Sequence, residues 1–184
     1  MIKGGQFSKL LLIGIFFLLL SFLKWGISFP LGTLLFVLGG IFGYILLEID
    51  QFLYVFYTRP EEINSVTAIQ LFKNRRYKEM VFFVLSHRDE RKQLILHSAI
   101  MAPVLFLLSV FIITSSGSIF GMGLVLGIFL RYILDLGFLY KQGSFILKEK
   151  FFWQVKGEID DKNQKIYLLL ILFGFIFSSL LFLG

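Results

Sequence analysis

A chain of 184 residues that is 57% hydrophobic, with a mean hydropathy of +0.83, carries more apolar surface than a water-soluble globule of its size can hide. The composition therefore excludes a soluble domain and calls for a bilayer as solvent. The chain has no cysteine, which excludes disulfides, thiolate nucleophiles and zinc–thiolate sites and leaves oxygen and imidazole chemistry.

The apolar residues fall in blocks of about 18 to 23, the length an α-helix needs to cross about 30 Å of hydrocarbon. Strand barrels show short alternating segments instead, and none occur. The pattern predicts an all-α polytopic integral membrane protein, a single transmembrane helical domain of five spans. The first span covers residues 7–29, with Lys24 and Trp25 near its far end. No small-x-small cleavage site follows it, so it reads as a retained span and not as a signal peptide. The second covers residues 31–47.

Residues 58–92 form a polar insert that predicts a cytoplasmic amphipathic helical hairpin. Pro60, Glu61 and Glu62 signal a helix start, because proline and acidic residues suit a first turn. Ile63, Val66, Ile69, Leu71 and Phe72 then recur at helical spacing, as do Tyr77, Met80, Val81, Val84 and Leu85 up to Ser86-His87. The charges of residues 87–92 read as a solvated entry to the third span, residues 94–114. The fourth span covers 118–139 and the fifth 166–183. Between those two, Phe145, Ile146, Phe151, Phe152, Trp153 and Val155 lie among lysines and predict an interfacial segment, with Trp153 as an anchor. Gly39 with Gly43, Gly117 with Gly121, and Gly123 with Gly127 have the four-residue spacing that lets helix backbones approach in lipid.

Every basic residue except Lys24 and Arg131 lies before or at the very start of span one, between spans two and three, or between spans four and five. In a five-span chain those segments share one side, which the positive-inside rule makes cytoplasmic. The expectation is a multi-pass protein of the cell (inner or plasma) membrane, N-terminus cytoplasmic and C-terminus opposite. The net charge of +6 then reads as topology and as attraction to anionic lipid headgroups. No aromatic–basic motif supports nucleic-acid binding. A homo-oligomer or a protein partner on the hairpin is compatible with this reading. No inverted repeat or pair of broken helices points to a transporter.

Ionisable residues within or at the ends of spans are costly and define the candidate site: Lys24, Glu48, Asp50, His97, Arg131 and Asp135. Counting 1.5 Å per residue along regular helices puts all but Lys24 at one cytoplasmic level. Asp50, His97 and Asp135 are the candidate ligands of a divalent zinc, manganese or magnesium ion, with Glu48 as a further ligand or general base. Each also has a structural reading. Arg131 and Asp135, four residues apart, share a helix face and pair, Asp50 closes span two, and His97 sits near the headgroups.

Glu48-Ile49-Asp50, His87-Arg88 with His97-Ser98, and Arg131 to Asp135 together resemble the motifs of the small membrane-bound metal-dependent hydrolases that include the LexA-binding inner-membrane-associated proteins. The resemblance covers roughly residues 40–137. It implies the helical architecture, a shared polar site and hydrolysis, and one functional reading is then a hydrolase acting on a lipid or phosphoester, with Arg131 binding a phosphate oxygen. Arg131 stands where that family has histidine, and arginine does not ligate a cation. The alternative is a non-catalytic membrane scaffold or partner-binding protein.

Overall fold

The computed structural model describes residues 4–26, 28–155 and 159–184, without the side chains of residues 4–9 and of Asp89. Lys3, Lys156 and the side chain of Lys9, counted above for orientation, lie outside the described residues. Those residues are all-helical, with no strand among them. Helix α1 is Gly4–Trp25, α2 Pro30–Leu46, α3 Ile49–Leu53, and a π-helical turn, Tyr54–Thr58, continues α3. Next come α4 (Ile63–Lys73), α5 (Tyr77–Ser86), α6 (Met101–Ser115), α7 (Ile119–Gln142), α8 (Ser144–Phe151) and α9 (Asp161–Leu183). Among the described residues, Pro30–Thr58, Ile119–Gln142 and Asp161–Leu183 are long and apolar enough to cross a membrane, while Leu10–Trp25 and Met101–Ser115 are shorter apolar helices.

The chain divides into two compact units. The first contains Met1–Leu47, Ala102–Phe138 and Ile159–Gly184. There α2 and α7 meet backbone to backbone. A Cβ on Gly39 would lie 2.3 Å from the Phe120 carbonyl oxygen, and one on Gly43 2.0 Å from that of Leu124. From the other side, a Cβ on Gly123 or Gly127 would lie 2.1 or 2.2 Å from the carbonyl oxygen of Phe36 or Gly40. Two of the three glycine pairs thus form one crossing, as their spacing predicts. The pair Gly117 and Gly121 is a correction. Gly117 precedes α7 at φ +60°, and the nearest atoms a Cβ on Gly121 would meet are side-chain atoms of Ser118 and Ile112, not the backbone of another helix.

Contacts within this unit fix the helix directions. Phe36 to Gly123 and Gly40 to Gly127 advance together, so α2 and α7 are parallel. Gly14 meets Ile41 and Gly40 meets Phe17, so α1 runs against α2. Phe16 stacks on Phe175, and Trp25 meets Phe182 edge-on, which makes α1 parallel to α9. Phe106 meets Phe177, and Ser109 meets Ser178, which adds α6 to that direction. Lys24, near the far end of the first span, donates to the Phe182 carbonyl near the end of α9.

The second unit contains Glu48–Met101 and Leu139–Glu158. The hairpin lies in it, with α4 starting directly after Glu62 and α5 ending at Ser86. Ala68 of α4 and Met80 and Val84 of α5 close on Val55, flanked by Phe52, Phe56, Ile69, Leu71 and Phe83. The turn between the helices places Arg75 at φ +59°, and Arg76 N–H donates to the Leu71 carbonyl across it.

The third span departs from its expected start. Residues 94–100 form turns, and helix begins only at Met101. Pro103 gives the reason, since proline lacks the N–H for the helix ladder and its ring clashes with the carbonyl four residues back. A helix begun at Leu94 would break there, whereas one begun at Met101 holds Pro103 in its first turn. His97 therefore sits on irregular backbone, and the depth counted for it along a helix does not apply.

Candidate functional site

Asp50 stands in the first turn of α3, just after the chain breaks α2 at Leu47 and Glu48. It is 1% exposed. One oxygen, Oδ2, accepts three donors from a single stretch of turn: the N–H groups of Leu96 (2.8 Å) and His97 (3.1 Å) and the His97 Nδ1 (2.9 Å). A buried carboxylate is tolerable only when hydrogen-bonded, and these contacts supply that. The His97 ring is held through Nδ1, which donates to this acceptor oxygen. Other bonds pin the same stretch. The Trp153 indole donates to the Leu94 carbonyl at 3.2 Å, and Ala99 N–H donates to the Phe151 carbonyl at 2.9 Å. Trp153 is thus a structural donor, as well as carrying the aromatic surface that marked it as an anchor.

The remaining candidates fall into separate pairs. Glu48 meets Arg88 at 3.3 Å. Asp135 belongs to the first unit, where its carboxylate accepts from Arg131 Nε at 2.6 Å, and Arg131 lies 4.7 Å over the Tyr44 ring. This is the i,i+4 pairing their spacing implies. His87 caps the end of α5: its Nδ1 is 3.0 Å from both the Phe83 carbonyl and Ser86 Oγ, and its ring packs 4.3 Å from Phe83.

Among the described residues no group of three or more His, Asp or Glu is placed to hold a metal ion. The donor chemistry agrees. Asp50 Oδ2 is engaged by three donors, and Asp135 faces a guanidinium, which raises the cost of bringing a cation beside it.

One buried cation escaped the sequence reading, which took residues 87–92 as solvated charge. Arg91 is 4% exposed, and its Nη1 donates to Gln51 Oε1 (2.8 Å) and the Val84 carbonyl (2.7 Å), while Nη2 has no hydrogen-bond partner among the described residues. Its guanidinium sits 6.0 Å from the Tyr54 ring. Burial pushes its pKa below the usual arginine range. No sequence signal separates Arg91 from Arg88 or Lys92; its burial depends on long-range partners such as Gln51.

Comparison with protein-family models, with curated proteins and with solved structures finds no match in any of the three.

Proposed function

We propose that the chain is a five-span integral membrane protein, with its N-terminus and second unit in the cytoplasm, acting as a non-catalytic membrane scaffold. The alternation of helix directions in the first unit, with α1, α6 and α9 one way and α2 and α7 the other, supports five crossings. The observation that carries the non-catalytic reading is the engagement of the candidate ligands with one another or with arginine, Asp50 with residues 96–97, Asp135 with Arg131, and Glu48 with Arg88. Such groups fix a fold as they stand.

Metal analysis of the purified protein tests this. The expected result is substoichiometric zinc, manganese and magnesium and a melting temperature that chelator does not change. About one ion per chain, lost in Asp50→Ala and in His97→Ala, would overturn it. Orientation is tested separately with single cysteines, which the cysteine-free chain makes clean: labels at Gly117 and Pro60 should react from opposite sides.

One observation favours a second reading, a hydrolase acting on a lipid or phosphoester. A carboxylate holding Nδ1 of a buried imidazole is how a general base is oriented. Under this reading His97 takes a proton from water at Nε2 while Asp50 fixes the ring. Hydrolysis of a phospholipid or a phosphoester that is abolished in a folded His97→Gln variant would establish it.

A further inference from the structure

The hairpin's free end has a composition that its own packing does not use. Met80 and Val84 turn one face of α5 into the second unit's core, together with Ala68 of α4. The opposite face of α5 presents Lys78 and Phe82, and Phe82 is 68% exposed. Phe72 and Tyr77 bracket the turn, about half exposed, with ring centroids 5.6 Å apart. Around these aromatics stand Lys73, Arg75, Arg76 and Lys78, against the single carboxylate of Glu79, which pairs with Arg76. Lys73, Arg75 and Lys78 are exposed and form no ion pair among the described residues. A shallow groove of about 330 Å³ runs between Leu71, Lys78, Glu79, Phe82 and Phe83.

The root of the hairpin is different in charge. Arg59 there meets Glu61, Tyr54 donates to Glu62, and Asn64 donates to Glu90. Cations thus outnumber carboxylates at the tip, whereas at the root they are matched by Glu61, Glu62 and Glu90. The tether also matters: only residues 59–62 separate α4 from the long apolar helix Pro30–Thr58, so the hairpin cannot leave the neighbourhood of a bilayer that this helix crosses.

We infer that the tip of the α4–α5 hairpin is a docking site for an anionic lipid surface, with Lys73, Arg75 and Lys78 on headgroup phosphates and Phe72, Tyr77 and Phe82 inserted at the acyl boundary. The inference rests on the membrane topology proposed above. Exposed aromatics beside unpaired cations match the two attractions that hold an amphipathic segment in the interface, apolar burial and charge. Either alone is weak, and here one short turn supplies both.

The test uses the full chain in nanodiscs, neutral or containing about one-third anionic phospholipid, with a single nitroxide on Phe82→Cys and power-saturation measurement of depth. The site predicts that the probe moves from water to the headgroup region when anionic lipid is present. Removing Lys73, Arg75 and Lys78 together (each to Gln) should return it to water, each cation accounting for roughly a fivefold change in the docked population. A probe on Ile63→Cys, at the root, should stay in water throughout. A Phe82 probe in water in both nanodiscs overturns the inference and points to a protein occupant, and equal immersion in both overturns its charge component. A probe on Leu172→Cys in α9 reports on the topology itself. If that probe is also in water, the membrane reading fails, and not the docking site alone.

Discussion

In the first unit helices meet through bare backbone, Gly39 and Gly43 against Gly123 and Gly127, whereas in the second the chain is held by side chains gripping loops, Asp50 on residues 96–97 and Trp153 on Leu94. The difference follows from solvent. In the membrane topology proposed above, lipid around the first unit's helices offers no hydrophobic gain in helix association, so close approach and dispersion would supply it. In the second unit backbone leaves the helix at residues 91–100, and each exposed N–H needs a partner. The largest expected effect tests this. Asp50→Ala strands two backbone N–H groups and the His97 ring at once, and should cost about 3 to 5 kcal/mol in reversible unfolding in mild detergent. His97→Ala removes only one of the three donors and should cost clearly less. Equal losses would mean that the pair, and not the turn, is what Asp50 serves.

The second test strikes the other unit. Gly43→Val places a side chain on the Leu124 carbonyl, and backbone on both sides leaves nothing flexible to yield. A loss of about 3 kcal/mol is expected, at the upper end for overpacking. A loss below about 1 kcal/mol would show that α2 and α7 slide apart easily and that the crossing is not what organises the unit.

These two sites also show what a sequence can reveal. Close backbone approach at Gly39, Gly43, Gly123 and Gly127 was legible because small residues at four-residue spacing have one efficient use in lipid, though not which helix each would meet, and the hairpin because Glu62, Asn74 and His87 bound its two apolar periods. The grip of Asp50 on residues 96–97 was not legible as such. Hydropathy runs smoothly from Leu94 into α6, and the cue that helix cannot is Pro103, whose effect falls on the residues before it. Buried Arg91 had no cue, since partners such as the Val84 carbonyl carry no signature in the sequence.

A smaller effect sharpens the glycine argument by contrast. A Cβ on Gly137, also on α7, would meet nothing within 4 Å. Gly137→Ala should therefore stabilise, by up to about 1 kcal/mol from helix propensity. If it destabilised as Gly43→Val does, the close-approach account of the glycines would be too narrow.

The smallest effect concerns the polar link between α6 and α9. Ser109 Oγ and Ser178 Oγ are 2.7 Å apart and fully buried. Ser109 also donates to the Phe106 carbonyl at 2.7 Å, and Ser178 to that of Gly174 at 2.9 Å. Two hydroxyl protons face three contacts, so the bond between helices forms only by loosening a bond within one of them. A double-mutant cycle with Ser109→Ala and Ser178→Ala should then give a coupling of about 0.6 kcal/mol or less. A coupling above about 1.5 kcal/mol would mean that the hydroxyls favour each other over their own helices. In that case the first unit would rely on a polar latch after all, and the contrast with the second would narrow to its glycines.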